Sequence, residues 1–279
     1  MAKPMKMRAE TYRNKLSEDA FWKQQQAPTD SKLFDRVKVM LGKGADVHAT
    51  GGDRDMTALH FAVANRAEHD VVQMLLEYGG DVHAKDVHGF SALHTAATSQ
   101  ASPKVVGLLL ERGADVHAKT SGEHPGYGRT ALHLAAGAHA DPKVVGKLLT
   151  KGADVEAKAV GGFPAHGRTA LHYAAENRAG PEVVASLLEK GANVFVRNAN
   201  GQQPLALAEK LKDAGCARLL TRWEERTKIK EQFRGLKIRT SPISNGSPEE
   251  TFVDSARSPG IKLTPKNRTS RQQRHKKKR

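Results

Sequence analysis

The sequence has little cysteine, few aromatic residues and no long hydrophobic run, and each shortage excludes a class of protein. It contains one cysteine in 279 residues, which excludes a disulfide framework and a metal site built from several thiolates. Aromatic residues make up 5% of the chain and hydrophobic residues 38%, which favours thin repeated layers over one thick core. No segment approaches the about 18 consecutive apolar residues of a membrane-spanning helix. The first ten residues lack an apolar segment, so we expect no secretory signal peptide.

Motifs that perform catalysis are also missing. The sequence has no Walker loop, no Gly-x-Ser-x-Gly nucleophile motif, no His-Glu-x-x-His zinc motif and no Cys-x-x-Cys pair. The scattered acidic and histidine residues do not form a convergent set. We therefore predict that the protein is not an enzyme and that it holds no cofactor and no metal.

Positive charge is concentrated at the C-terminal end. The chain has 45 basic and 30 acidic residues, a formal net charge of +15. Residues 222–279 hold 17 basic and 6 acidic residues, a net charge of +11, whereas residues 31–221 hold 22 and 20. Attraction to phosphate groups is therefore expected of the tail and not of the middle of the chain.

Three short phrases recur in fixed order through the middle of the chain. The first is Thr/Ser-Ala-Leu-His at 57–60, 91–94, 130–133 and 169–172, with a degenerate copy at 203–206, so the steps are 34, 39, 39 and 34 residues. Between the copies stand a Val-Val-x-x-Leu-Leu phrase and a Gly-Ala-Asp-Val-His-Ala phrase or a variant of it. Such a period is typical of a repeat protein whose units pack only against their neighbours.

Each unit is predicted to form two short helices joined by a turn. A Thr or Ser opens the first phrase and suits a helix N-cap. In three units a proline begins the second helix, where it costs no hydrogen bond, and a glycine follows the helix end in the left-handed conformation. These residues are Thr57, Ser91, Thr130 and Thr169 as caps, Pro103, Pro142 and Pro181 as first helical residues, and Gly113, Gly152 and Gly191 as helix ends.

The three phrases resemble those of the ankyrin repeat family. The resemblance covers about residues 31–222 and implies an all-α solenoid of helix-turn-helix units with β-hairpin-like loops. About five full units and an N-terminal partial one are expected. Residues 1–30 are expected to form an N-terminal segment with a helical cap at 10–26. Residues 223–279 are expected to form a basic tail that is largely disordered, because it lacks enough apolar surface to fold alone. At its start, the segment 221–233 either extends the last helix or forms a short helix of its own.

The resemblance implies a non-enzymatic scaffold or adaptor, which binds a protein partner through its hairpin loops and concave face. Two other functions stay open. One is a nuclear regulator whose basic tail contacts nucleic acid while the repeats recruit a protein, and the other is a microbial effector that acts inside a host cell. We expect an intracellular monomer, located in the nucleus, the cytoplasm or both.

The histidines of the first phrase, His60, His94, His133 and His172, are predicted to be structural. Stacked helices lie about 8–10 Å apart, whereas zinc holds each nitrogen at about 2 Å, so equivalent histidines of adjacent units cannot share an ion. The resemblance implies that each imidazole bonds near the start of its helix and connects neighbouring hairpins.

A second set of histidines, His48, His83 and His117, occupies a hairpin position. We expect these side chains to bond the backbone of the turn. The resemblance also implies that an oxygen-dependent hydroxylase could modify His83 and His117, since Leu75 and Leu109 stand eight residues upstream.

The two 39-residue steps contain aligned insertions, 119–129 and 158–168. Insertions in repeats project from one face, often the binding face, and aromatic and arginine side chains are the usual anchors of interfaces. The alternative is duplication of a neutral loop. Candidate partner-binding residues in the insertions are His124, Tyr127, Arg129, Phe163, His166 and Arg168, and weaker candidates in the other hairpins are Arg54, His88 and Phe90.

The tail contains two kinds of candidate site. Four Ser-Pro or Thr-Pro dipeptides, at Ser241, Ser247, Ser258 and Thr264, resemble sites of proline-directed kinases. The terminal run Lys276, Lys277, Lys278 and Arg279 resembles a nuclear localisation signal, which an import receptor binds. Such a run can also bind nucleic acid, acidic lipid or an acidic protein surface.

Overall fold

The computed structural model describes residues 15–18, 21, 31–121, 127–161 and 166–233. Apart from a short 3-10 turn at Lys15–Ser17, the described chain forms eleven α-helices and one small hairpin. The helices are α1 Ser31–Gly42, α2 Ala58–Ala64, α3 His69–Glu77, α4 Ala92–Thr98, α5 Pro103–Glu111, α6 Ala131–Gly137, α7 Pro142–Thr150, α8 Ala170–Glu176, α9 Pro181–Glu189, α10 Pro204–Lys210 and α11 Ala214–Gln232.

The helices form two rows. The first helices of the units, α2, α4, α6, α8 and α10, pack in order against one another, and we call them the inner helices. The second helices form a parallel outer row, in which α1 packs against α3. The predicted all-α solenoid is therefore confirmed. In the described residues five pairs of helices, from α2 and α3 to α10 and α11, follow α1.

Strand structure in the described residues is confined to the loops between units. Strand β1 (Thr50–Gly51) pairs with β2 (Met56–Thr57) in antiparallel fashion. A single bridge between Lys85 and Ser91 marks the next hairpin. These are the β-hairpin-like loops that the resemblance implies.

Local capping signals place the helices where the repeated phrases predict them. Thr57, Ser91, Thr130 and Thr169 are the N-caps of the inner helices α2, α4, α6 and α8 and have extended backbone conformations. The three prolines are the first residues of α5, α7 and α9. Each outer helix then ends before a glycine with a positive φ, +88° at Gly113 and Gly152 and +93° at Gly191.

The core is one continuous cluster that runs through the stack. One leucine from each of the inner helices α2, α4, α6 and α8, and one from each of the outer helices α3, α5, α7 and α9, is fully buried, and each contributes roughly 1.5–3 kcal/mol to folding. Alanines on the inner helices are also fully buried, which lets adjacent units approach closely. The leucines are Leu59, Leu93, Leu132, Leu171, Leu75, Leu109, Leu148 and Leu187.

The last helix is longer than the repeat pattern predicts. Helix α11 has 19 residues, against 9 for α9, and the predicted boundary at 222/223 falls inside it. Cys216 and Leu220 are fully buried, and Trp223 packs against the core. The compact unit accordingly extends to Arg234.

Both ends of the described chain contribute apolar side chains to the core. Leu16 and Phe21 are buried near the N-terminus, whereas most of the predicted helical cap at 10–26 lies outside the described residues.

Burial raises the pKa of Cys216 to about 12, so this thiol is unreactive. None of the described helices is long and apolar enough to cross a membrane.

Candidate functional site

The motif histidines connect each unit to the next. Nδ1 of His60 lies 2.8 Å from the Thr57 hydroxyl, and Nε2 lies 2.9 Å from the carbonyl oxygen of Phe90 in the following hairpin. His94 reaches Ala118 in the same way, His133 reaches both Ala157 and Arg168, and His172 reaches Gln202. The predicted structural role of these histidines is confirmed.

The hydrogen bonds also define the protonation state of these rings. The backbone N–H of Thr130 donates to Nδ1 of His133, so Nδ1 carries no proton and Nε2–H donates to the carbonyl groups. Burial lowers the pKa of His94, His133 and His172 to about 4, and it lowers that of His60 as well. The imidazoles are therefore neutral at pH 7 and do not serve as cationic sites.

The hairpin histidines do not close their turns. The carboxylate two residues earlier does so, since Asp81 Oδ1 accepts from the His83 N–H at 2.8 Å and Asp115 does the same for His117. Asp46 has this role for His48. The expectation that the imidazoles bond the turn is thus wrong, because a short carboxylate reaches the backbone first. The three imidazoles are exposed.

The two insertions rise from bases of the same geometry as the shorter hairpins. The Thr120 N–H donates to the Arg129 carbonyl at 3.0 Å, and the Gly128 N–H donates to Thr120 at 2.8 Å. Ala159 makes the same pair of bonds with Arg168 and Gly167, both at 2.9 Å. The residues between these bases, 122–126 and 162–165, lie outside the described residues. We call the two insertions the fingers.

Each finger base is pressed against the hairpin that follows it. Gly128 has a φ of +71°, and a Cβ built there would lie 2.8 Å from the backbone nitrogen of Val160. Only glycine combines that conformation with so close an approach. The described bases of the two fingers are therefore attached to the stack through close backbone contacts.

The structure separates the candidate residues of the fingers into two groups. Tyr127 is half-buried and His166 is exposed, and the His166 ring bonds the Val160 carbonyl of its own finger at 3.2 Å. His124 and Phe163 lie outside the described residues. Arg129 and Arg168 turn instead toward the inner helices.

These two arginines meet on one aromatic ring. The guanidinium carbon of Arg129 lies 4.8 Å from the centre of the Tyr173 ring and that of Arg168 5.8 Å from it. Arg168 also forms an ion pair with Glu176. Burial raises the pKa of the Tyr173 hydroxyl, although the two guanidinium charges oppose this. We call these four residues the arginine cluster.

Tyr173 and Glu176 are functional candidates that the sequence did not indicate. Both belong to α8, in the phrase Ala-Leu-His-Tyr-Ala-Ala-Glu. Their positions are occupied by Leu134 and Gly137 in the preceding unit and by Thr95 and Thr98 before that. Comparison of these columns between units would have identified α8 as the one of these three inner helices with a charged residue.

The weaker candidates form a second arrangement near the other end of the stack. Arg54 lies 5.0 Å from the centre of the Phe90 ring and forms an ion pair with Asp86, whose side chain is almost fully buried. His88 is half-buried, and its carbonyl accepts from the Ser121 N–H at 3.0 Å. The tail candidates, Ser241 to Arg279, lie outside the described residues.

Comparison with known proteins agrees with this architecture. A family model described as "Ankyrin repeats (3 copies)" matches residues 28–120 and 141–232. The second match ends at the C-terminal residue of α11. No curated protein matches the chain. Ankyrin repeats are general modules of protein–protein interaction. Two thirds of the chain are covered by the two matches, and the protein belongs to the ankyrin repeat family.

Proposed function

We propose that this protein is a non-enzymatic scaffold or adaptor, which binds a protein partner with its fingers and the adjoining groove of the inner helices. The observation that carries the proposal is the pair of fingers with matching bases on adjacent units. They bring Arg129 and Arg168 onto a single tyrosine at the wall of an open cavity. Arginine and tyrosine are the residues in which interface energy is most often concentrated.

The stacked units also reduce the entropic cost of binding. Each unit is tied to the next by a buried histidine, and each finger base is held by backbone hydrogen bonds. The described part of this surface is therefore held in place before a partner binds, and less conformational entropy is lost on association.

Affinity capture with the full chain tests the proposal. We expect the double variant Tyr127→Ala with Phe163→Ala to lose partners that the wild-type chain retains, while its thermal stability is unchanged. Tyr78→Ala is the matched control, because Tyr78 is an exposed tyrosine at the end of the outer helix α3. Capture of the same partners by the double variant at unchanged affinity would refute the role of the fingers.

We further propose that the tail directs nuclear import through Lys276, Lys277, Lys278 and Arg279. The +11 charge of residues 222–279 supports this. Phosphorylation at Ser241, Ser247, Ser258 and Thr264 would offset much of that charge. Imaging of a fluorescent fusion that lacks 271–279 provides the test, and an unchanged distribution between nucleus and cytoplasm would reject it.

Hydroxylation of His83 and His117 stays a prediction. The exposure of both imidazoles supports it. Peptide mapping from cells with and without hydroxylase activity should show the mass of one added oxygen atom only in the first. Unmodified peptides from competent cells would contradict it.

A further inference from the structure

The arginine cluster lines a cavity of about 270 Å³ beside the inner helices α6 and α8. Arg129 and Arg168 come from the two fingers, and Tyr173 and Glu176 come from the inner helix α8. Leu134 and Gly137 of α6 and Thr98 of α4 also line it. The cavity is therefore lined by the described bases of both fingers and by residues of three successive inner helices.

Three hydrogen-bond donors in this cavity have no acceptor among the described residues. They are Nε of Arg129, Nε of Arg168 and the Tyr173 hydroxyl, and all three atoms are buried. The hydroxyl faces the Arg129 guanidinium, but the geometry falls short of a hydrogen bond. A buried donor without an acceptor costs roughly 1–3 kcal/mol, so an acceptor that enters this cavity would recover that energy at more than one atom.

The charges in the cavity leave one positive charge uncompensated. Glu176 neutralises Arg168, whereas no carboxylate of the described residues pairs with Arg129. His133 also lines the cavity, but burial lowers its pKa to about 4, so it adds no charge at pH 7. The described residues that line the site therefore carry about one unit of net positive charge, which matches a ligand with a single negative charge.

The cluster of Arg54 provides a contrast within the same chain. Arg54 also lies over an aromatic ring, that of Phe90, but Asp86 of its own chain pairs with it. An arginine on a ring is thus not enough to make an anion site. The cluster of Arg129 differs because its two positive charges face a single carboxylate, that of Glu176, among the described residues.

We propose that this cavity binds one side-chain carboxylate, an Asp or a Glu, from an acidic segment of the partner protein. The carboxylate would accept hydrogen bonds from Arg129 and from the Tyr173 hydroxyl. The ion pair with Glu176 would hold the guanidinium group of Arg168 in position beside them. A doubly charged phosphate would exceed the net positive charge of the site. This inference rests on the proposed function, since it names the chemistry that the partner must present.

The test is an NMR titration of the full chain with ¹⁵N-labelled arginine. The probes are N-acetyl-glutamate amide, which carries one carboxylate, N-acetyl-glutamine amide, which is neutral, and inorganic phosphate. We expect the Nε–H resonances of Arg129 and Arg168 to shift in a saturable manner with the glutamate derivative. The glutamine derivative should leave them unchanged, and phosphate should bind more weakly.

Variants then assign the binding to named groups. Arg129→Gln should weaken binding of the glutamate derivative about tenfold or more, as expected for a charged hydrogen bond, and Tyr173→Phe should weaken it severalfold. Arg112→Gln is the control, because Arg112 lies at the end of the outer helix α5. Arg129→Lys keeps the charge and loses the planar fork, so intermediate affinity is expected. Near-ultraviolet and far-ultraviolet circular dichroism show whether each variant is folded.

Three outcomes would overturn the proposal. They are an equal response to the glutamine derivative, tighter binding of phosphate than of the glutamate derivative, and an affinity that Arg129→Gln leaves unchanged. If one of these occurs while the finger variant still loses its partners, the proposed scaffold function stands and only the carboxylate site fails. If the finger variant loses no partner, the proposed role of the fingers in partner binding fails, whatever the titration shows.

Discussion

At the scale of single residues, a buried histidine such as His133 connects two adjacent units by hydrogen bonds. Its two ring nitrogens bond its own helix start and two carbonyl groups of the next hairpin. Replacement leaves the Ala157 carbonyl without a donor among the described residues and removes one of the two donors of the Arg168 carbonyl. A buried carbonyl group without a donor costs roughly 1–3 kcal/mol.

We expect His133→Ala to lower the free energy of unfolding by roughly 2–4 kcal/mol. The measurement is urea denaturation at pH 7. His117→Ala is the control, since that imidazole is exposed and should change stability by less than about 0.5 kcal/mol. Equal effects of the two substitutions would contradict the structural role of His133.

Two glycines should respond in opposite directions to the same substitution. Gly128→Ala places a methyl group against the backbone of Val160, at a residue with a positive φ. We expect this substitution to lower the free energy of unfolding by roughly 1–3 kcal/mol. Gly146 lies inside helix α7 with open space around it, so Gly146→Ala should raise the free energy of unfolding by about 0.5–1 kcal/mol. Denaturant midpoints measure both, and a loss at Gly146 or none at Gly128 would contradict the packing described.

At the scale of elements, helix α11 closes the C-terminal end of the stack. Its first half buries Cys216 and Leu220, and Trp223 packs against the core beyond the predicted boundary. A chain that ends at 222 loses this contact and more than half of the helix. Its last turns then lack the hydrogen-bond partners that continued the helix.

We expect the fragment 1–234 to retain the thermal stability of the full chain. The fragment 1–222 should lose about 1–3 kcal/mol, the magnitude of a buried aromatic side chain and frayed helical turns. Differential scanning calorimetry of the two fragments and the full chain measures this. Identical midpoints for 1–222 and 1–234 would show that the second half of α11 contributes nothing to the stack.

At the scale of the whole molecule, the four buried histidines make stability depend on pH. In the unfolded chain these groups have a pKa near 6.5, whereas in the folded chain that of three of them is about 4. The stabilisation is complete above pH 6.5. It is lost as the pH falls toward 4, because the unfolded chain takes up protons that the folded chain excludes.

We therefore expect the thermal midpoint to be lower at pH 5 than at pH 7. The corresponding loss in the free energy of unfolding is up to about 2 kcal/mol per buried histidine. Thermal denaturation followed by circular dichroism at both pH values measures the change. The triple variant His48→Asn, His83→Asn and His117→Asn should keep the same dependence, because these imidazoles are exposed. A midpoint that is constant over this range would contradict the neutral, buried state.

The sequence alone determined the repeat architecture, because its signals are local. A cap such as Thr130, a proline such as Pro142 and a glycine such as Gly152 act within one turn of their own helix, and the apolar period places one leucine per helix in the core. Four copies of the same pattern then leave one way to bury every apolar face, which is to stack the units.

Tertiary structure alone decided which side chains meet in the cavity of the arginine cluster. Arg129 and Tyr173 are 44 residues apart and meet because one unit lies directly upon another, and no local rule specifies which side chains face each other across that junction. The same holds for Trp223, which lies in the last helix beyond the repeat period and packs against the core. Contacts between units depend on the spacing of the stack, and that spacing exists only after the chain has folded.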